Sequence, residues 1–141
     1  MLTGIDVTAT RKYVSKLDPD KENPTVFHLG YLDPALRAEL DDESSSFKLS
    51  STNPKDPADI KINYNKRQLM AIKYGLKGLE NFLDPQTKKP VDFKCETIRC
   101  AGKMRDAVPD RIIAMFPSEL RTELAEEILN ESKLSEEERK N

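Results

Sequence analysis

The residues of this chain best suited to metal chemistry are His28, Cys95 and Cys100, because imidazole and thiolate groups are preferred zinc ligands. A structural zinc site takes four such ligands, commonly as two closely spaced pairs. The 141-residue sequence has one histidine and two cysteines, and positions 95 and 100 would point to opposite faces of a regular strand. We therefore predict no metal site and interpret both cysteines as free thiols, since two are also too few for a disulfide scaffold.

The sequence offers equally little for acid–base or nucleophilic catalysis. A single histidine does not support a catalytic triad, and the sequence has no G-x-G-x-x-G, phosphate-loop or H-E-x-x-H motif. The "GLKG" stretch at 75–78 is too short and apolar to cradle a phosphate, and the carboxylates of 118–132 fall on the predicted solvent face of a helix. We predict a protein that is not an enzyme and has no catalytic residues and no cofactor.

The charges of the chain are unevenly distributed. Residues 1–60 carry a net charge of −4, residues 61–105 carry +7 and residues 106–141 carry −5. Three interpretations follow: the three parts neutralise one another within one fold, the basic part faces the acidic end of another chain, or the basic part binds nucleic acid. Nucleic acid is the weakest of the three, because the whole chain has a net charge of −2 and few aromatic residues accompany the basic ones.

The longest periodic segment of the sequence lies between residues 64 and 83. Its apolar residues recur at steps of three and four, which is typical of one face of a helix: they are Leu69, Ile72, Leu76, Leu79 and Leu83. Gly75 and Gly78 interrupt this pattern, and each costs a helix interior about 1 kcal/mol relative to alanine. We expect either two short helices, 64–74 and 77–83, with a backbone bend at the glycines, or one helix whose glycines admit a neighbouring backbone.

The apolar stripe at 69–83 is the candidate protein-interaction face of the molecule. It also suits packing against the strands of the same chain, and both interpretations stay open at this stage. In either case the glycines have a geometric role and no chemical one.

The first half of the chain favours two strands followed by a helix and a loop. Residues 3–14 alternate β-branched residues, with Ile5, Val7 and Ala9 on one side, and residues 25–32 form a short apolar run. Asp33 is a predicted helix N-cap with Pro34 at the first helical position, and that helix should end near Leu40. The Ser- and Pro-rich residues 41–59 are expected to form a flexible loop.

The second half favours a strand pair and two helices. Residues 90–97 alternate Val91, Phe93 and Cys95 inward, and they should pair with 98–104 through a turn or bulge at Gly102. A short helix should start at Pro109 and another at Pro117. The apolar face of the second helix consists of Leu120, Leu124, Ala125 and Ile128.

These elements predict an α+β fold in a single domain spanning 1–141, with a small antiparallel sheet, three to five helices and a charged C-terminal tail at 133–141. No segment approaches the roughly 18 apolar residues of a membrane span, and the N-terminus has no secretory signal pattern. We expect a cytoplasmic protein with no membrane partner.

Three stretches together resemble a family of small proteins encoded among the tail genes of long-tailed bacteriophages. "NKRQLMAIKYGLKGLENFLDPQTKKPVDF" resembles the family pattern "(R)xGLxGWxNFxDxxGxPVxF", and "TVFHLGYLDPALRAELDD" and "ELRTELAEEILNESKLSEEERKN" resemble its opening and its C-terminal helix. The resemblance covers residues 25–141. Two departures are Leu79, where the pattern has tryptophan, and "PQTKK" at 85–89 in place of a glycine-bearing turn.

The resemblance implies a tail assembly chaperone. Such proteins coat the tape-measure protein in the host cytoplasm before the tail tube subunits polymerise around it, so the expected partners are those tail proteins and further copies of the chain. The alternative is a virion structural protein, either a capsid-stabilising decoration subunit or a tail-associated one. A nucleic-acid-binding regulator is the lesser alternative.

Overall fold

The computed structural model describes residues 1–49 and 58–140, and it confirms the predicted α+β class. All strand pairs are antiparallel and form three small sheets, with the orders β1-β2-β5, β3-β4 and β6-β7. The elements in chain order are β1 Thr10–Val14, β2 Val26–Gly30, α1 Pro34–Ser44, β3 Ser45–Leu49, β4 Ala58–Ile62, α2 Tyr64–Gly75, β5 Leu76–Glu80, β6 Glu96–Cys100, β7 Lys103–Ala107, α3 Asp110–Ile113 and α4 Ser118–Lys140.

The N-terminal strands are only partly as predicted. The run at 25–32 contains β2, whose Phe27 and Leu29 are buried. The prediction of a strand over 3–14 is wrong before Thr10, because the Asp6 carboxylate accepts hydrogen bonds from the Thr8 backbone N–H (3.0 Å) and hydroxyl (2.6 Å) and closes a turn there. Val7, predicted on one side of this strand with Ile5 and Ala9, lies in that turn and is 54% exposed.

Helix α1 begins as the sequence predicts. The Asp33 side chain accepts a hydrogen bond from the Leu36 N–H at 3.0 Å, and Pro34 is the first helical residue. The helix continues past Leu40 to Ser44, whose hydroxyl donates to the Leu40 carbonyl at 2.7 Å. The predicted flexible loop at 41–59 is therefore wrong at both ends, because 41–44 are helical and 45–49 pair with 58–62 as strands. The rest of that segment, 50–57, lies outside the described residues.

The helix predicted at 64–74 is confirmed, but the helix that both alternatives expected at 77–83 is wrong, because the structure is not helical beyond Gly75. Helix α2 ends there, and the chain continues at once as strand β5 beside β2. The pairing shifts between His28, opposite Gly78, and Leu29, opposite Leu76, so Lys77 is an extra residue on β5. A strand places residues an even number apart on one face, but a bulge adds one. This bulge gives the inward residues Leu76 and Leu79 the three-residue spacing of a helix.

The two glycines of this segment stand at close contacts. A Cβ atom on Gly75 would lie 2.5 Å from Cγ2 of Ile128 in α4, and one on Gly78 would lie 2.8 Å from Cδ2 of His28. Gly102 is the only glycine with a positive φ among the described residues, so Gly75 is not a left-handed helix cap. The expectation of one helix whose glycines admit a neighbouring backbone is wrong, because the helix ends at Gly75 and the atoms closest to the two glycines belong to the side chains of Ile128 and His28.

The hairpin β6–β7 is shifted along the chain from its predicted position. Residues 91–95 keep the expected alternation of half-buried and exposed side chains, and Val91 and Phe93 pack against the core, but these residues are not part of a strand. An isolated bridge between Leu83 and Pro90 precedes them. The ladder starts at Glu96. Its two-residue turn is Ala101 (φ 49°) and Gly102 (φ 85°), and two positive φ angles are the mark of the type I′ turn that suits tight hairpins.

The C-terminal helices complete the core. Pro109 precedes α3, and the four predicted apolar residues of α4 are buried, as expected. Helix α4 packs against α2 and continues through the predicted tail as far as Lys140, while Asn141 lies outside the described residues. The largest fully buried side chains include Phe27, Leu32, Leu40, Ile72, Leu76, Ile112, Phe116, Leu124 and Ile128.

A carboxylate of α4 attaches the N-terminal strand to this core. Glu123 accepts hydrogen bonds from the Tyr13 hydroxyl at 2.8 Å, the Lys16 backbone N–H at 2.9 Å and the Ser15 hydroxyl. Burial raises the pKa of Glu123, but these hydrogen bonds outweigh it and hold the pKa below the ordinary value of a glutamate. One helical turn further on, Glu127 pairs with Arg11 at 3.0 Å.

Replacing Gly75 with alanine should lower the free energy of unfolding by about 1–3 kcal/mol, because the new methyl group overlaps Ile128 in a packed contact. Alanine gains at most about 1 kcal/mol of helix propensity, which acts in the opposite direction. Denaturant unfolding of Gly75→Ala measures the net change in the free energy of unfolding that results from these two effects. Gly4→Ala is the matched control, since nothing lies within 4 Å of its Cβ position. A Gly75→Ala variant as stable as the parent would contradict the close packing.

Replacing Glu123 with glutamine should lower the free energy of unfolding at pH 7 by about 1–3 kcal/mol, because three donors lose an ionised acceptor. The folded pKa of Glu123 is lowered, so its contribution is present above the unfolded value of about 4.3 and is lost as the pH falls through the folded pKa. Urea unfolding at pH 7 and pH 3 should therefore show the gap between the two proteins closing in acid. Glu126→Gln, at an exposed position in the middle of α4, should show no gap at either pH.

Candidate functional site: a cleft between α2, α3 and α4

The residues considered for metal binding are placed on separate elements. The Nε2 atom of His28 in β2 lies 2.9 Å from Oε2 of Glu80 in β5. Cys95 precedes the β6–β7 hairpin, Cys100 ends β6, and both are free and half-buried. Within residues 1–49 and 58–140 there is no group of three or more His, Cys, Asp or Glu side chains that could hold a metal ion.

Part of the basic middle of the chain is neutralised within the fold, in line with the first of the three interpretations of its charge: ion pairs are formed by Lys66, Arg67, Lys73, Lys103 and Arg105. Arg67 pairs with Asp41 and Lys66 lies 3.1 Å from Glu43, so α2 is joined to the acidic end of α1. The acidic helix α4 is joined to the first strand by similar contacts: Glu127 pairs with Arg11, and Glu123 accepts a hydrogen bond from Tyr13. A nucleic acid would have to compete with these pairs for the basic side chains.

A cavity of about 430 Å³ lies between the N-terminal segment and the β6–β7 hairpin. Arg105 is only 8% exposed and pairs there with Asp33, and its Nε donates to the Cys100 carbonyl at 2.7 Å. Burial raises the pKa of Asp33, but Arg105, the Leu36 N–H and Lys103 outweigh it and leave the pKa below its usual range. These groups satisfy one another, so we assign them to joining the hairpin to α1.

The predicted interaction residues do not form one face. Ile72 and Leu76 are buried in the core of this chain, with 0% and 1% exposure, and Leu79 is half-buried against it. Leu69 in α2 is 44% exposed, and Leu83, beyond β5, is 57% exposed. Three of the five residues therefore pack in or against the core of this chain, as the packing interpretation required. The other two, Leu69 and Leu83, are exposed in different parts of the chain.

Leu69 belongs to a cleft of about 390 Å³ where three helices meet. Helix α2 contributes side chains at steps of three and four, which lie along one side of the helix. The Val108 N–H donates to the Lys73 carbonyl at 2.9 Å, and this bond fixes the start of α3 beside the end of α2. The cleft is lined by Lys66, Leu69, Met70 and Lys73 of α2, Asp110 and Ile113 of α3, Ala114 directly after it, and Arg121 of α4.

The floor of the cleft is apolar and its rim is mainly basic. Leu69, Met70, Ile113 and Ala114 supply the apolar atoms. On the rim, Lys73 lies 3.8 Å from Asp110, whose side chain is 92% exposed, and so distant and exposed a pair contributes little. Lys66 is held by Glu43 from outside the cleft lining.

Arg121 is the third cation of the rim. Its guanidinium donates to the Phe116 carbonyl at 2.6 Å, and no carboxylate of the described part of the chain lies within ion-pair distance of it. The cleft therefore offers an apolar surface flanked by an excess of positive charge.

Sequence reasoning found one of the cleft residues, Leu69, and missed the others. A local signal was present, because Lys66 and Lys73 flank Leu69 and Met70 as K-x-x-L-M-x-x-K. The contributions of α3 and α4 carry no such signal, since only the tertiary fold brings residues 110–121 beside residues 66–73.

Comparison with known proteins identifies neither a family nor a function for this chain. No protein-family model matches the sequence, and no curated protein or solved structure is significantly similar to it. A membrane-crossing helix is likewise not found within the described residues, as none of their helices is both long and apolar enough.

Truncation of two neighbouring apolar residues of α2 should have very different effects on stability. Ile72→Ala should cost about 2–5 kcal/mol because it opens a cavity in the core, whereas Leu69→Ala should cost less than about 1 kcal/mol because its side chain is largely solvated. Equilibrium denaturation of the two variants measures both values. Equal losses would mean that Leu69 is a core residue and that the cleft is closed.

Proposed function

We propose that this protein is a non-enzymatic assembly chaperone of a long-tailed bacteriophage, which binds the tape-measure protein in the host cytoplasm. The observation that supports this proposal best is the cleft between α2, α3 and α4, whose apolar floor includes the partly exposed Leu69. The sequence resemblance points to the same role.

The cleft suits the apolar side of a helical client. Its volume of about 390 Å³ is at the lower end of the size usual for binding pockets. That space accepts several apolar side chains, while a helix with a diameter of roughly 10 Å would remain outside it. Recognition would then follow the helix-in-groove mode, in which apolar residues at steps of three and four insert from one face.

A chaperone of this kind must release its client when the tail tube assembles. A shallow cleft favours such release, because interfaces well below about 1,200 Å² are usually weak and transient. Many copies bound along one long client would still keep it covered, since each bound segment raises the local concentration for its neighbours.

The proposal is tested by co-expressing this chain with the tape-measure protein of the same phage genome and measuring the soluble fraction of the client. The parent chain should keep the client soluble and co-purify with it. Leu69→Glu should abolish both effects, because it places a carboxylate on the apolar floor of the cleft. Leu83→Glu is the matched control, with the same change at an exposed leucine outside the cleft lining.

Three results would contradict the proposal. An insoluble client in the presence of the parent chain would remove the chaperone role, and equal activity of the two variants would remove the cleft as its site. Stoichiometric amounts of the chain in purified virions, measured by quantitative mass spectrometry, would favour the structural-protein alternative instead.

A further inference from the structure

The cleft between α2, α3 and α4 has two ends with different surroundings. Near one end, Nε2 of Gln68 in α2 donates to the Thr122 hydroxyl in α4 at 3.3 Å. A second contact of the two helices, between Gly75 and Ile128, lies seven residues further along α2 and six further along α4. The helices therefore run side by side in the same direction, and one end of the cleft lies near the starts of both.

The end of the cleft near the helix starts carries the excess of positive charge. Lys66 lies in the first turn of α2. Its partner Glu43 is 3.1 Å away, but the two side chains are 46% and 47% exposed, and a pair of such exposed groups contributes little. Arg121 lies near the start of α4, and its guanidinium reaches back to the Phe116 carbonyl ahead of that helix. A carboxylate that enters the cleft at this end would meet both cations.

The other end of the cleft is close to neutral. Lys73 lies seven residues beyond Lys66, which is about 10 Å along the helix axis. Asp110, the acidic member of the cleft lining, is 3.8 Å from Lys73 and offsets its charge. The charge of the rim therefore falls from positive to nearly zero along the length of the apolar floor.

From this gradient we propose that the cleft binds an amphipathic helical segment in one orientation, with acidic residues at the end of the segment that faces Lys66 and Arg121. The inference rests on the proposed function, because the client supplies the segment, and it adds the charge pattern and the orientation of that segment. In the reversed orientation the acidic residues would meet Asp110, and like charges brought together across an interface are unfavourable.

Two further features of the cleft favour an acidic helix as its occupant. The N-terminal ends of α2 and α4 carry partial positive charge, which has the same sign as the side chains at that end. Nucleic acid would also be attracted by positive charge, but none of the residues that line the cleft is aromatic, so the floor offers no surface on which a base could stack. Its aliphatic side chains suit the apolar stripe of a helix.

The charge preference is tested with a pair of synthetic helical peptides and the full chain. Each peptide has leucines at steps of three and four and a side-chain staple that keeps it helical. One carries two glutamates in its first turn, and its matched control carries two lysines there. Fluorescence anisotropy should give the glutamate peptide a Kd about tenfold or more below that of the lysine peptide, with a difference that shrinks as salt is added.

A substitution in the cleft tests whether the rim causes this preference. Lys66→Gln should reduce the ratio of the two Kd values, because it removes one of the two cations at that end. Lys89→Gln is the matched control, with the same change of charge at an exposed position outside the cleft lining, and it should keep the ratio of the parent.

The orientation is tested by NMR on the isotope-labelled full chain. A nitroxide label on the glutamate end of the peptide should broaden the amide signals of residues 64–67 and 118–121 more than those of 110–114. A label on the opposite end should give the reverse pattern.

Equal Kd values for the two peptides, or no binding of either, would overturn the inference. So would equal ratios in the two variants, the same broadening from both labels, or displacement of the glutamate peptide by an equal concentration of a short single-stranded oligonucleotide. The client experiment separates this failure from failure of the proposed function. A client that the parent chain keeps soluble, while the two peptides bind equally, would contradict the charge pattern alone, and an insoluble client with a clear peptide preference would contradict the chaperone role alone.

Discussion

The contact between Gly75 and Ile128 is the constraint on which the arrangement of this molecule depends. The absence of a side chain at Gly75 lets the end of α2 lie against α4, and the next residue already belongs to the sheet. One peptide link therefore joins the helical layer to strand β5. The same close packing places Arg121 of α4 near the side of α2 and creates the third wall of the cleft.

Charge is the second organising principle. Acidic groups from both ends of the sequence are used inside the fold: Asp33 holds the β6–β7 hairpin to α1, and Glu123 holds the first strand to α4. Charges that are far apart in the sequence are thus brought together as specific pairs in the fold. The cleft is the exception, because Arg121 is engaged there only by a backbone carbonyl among the described contacts, and its rim therefore keeps an excess of positive charge.

Much of the fold could be predicted from the sequence where local signals and tertiary packing agree. The capped start of α1 at Asp33, the apolar face of α4 and the turn at Gly102 are of this kind. The strand β5 could not be predicted, because the bulge at Lys77 gives its inward residues the spacing of a helix. The composition of 41–59 likewise concealed the β3–β4 pair, since serine and aspartate weaken strand propensity while cross-strand pairing still decides the structure. For the cleft, Leu69 was predicted and Arg121 was not, because only the tertiary fold brings α4 to that place.

The direct junction between α2 and β5 also has a mechanical consequence. Loops between elements usually absorb small displacements, but here the last residue of the helix is bonded to the first residue of the strand. A rotation of α2 about its axis can be absorbed only by the backbone dihedral angles of this junction before it reaches β5. An occupant that shifts Leu69 or Met70 should therefore also change the surroundings of β5 and its partner β2, so the amide protons of these strands are natural reporters of events in the cleft.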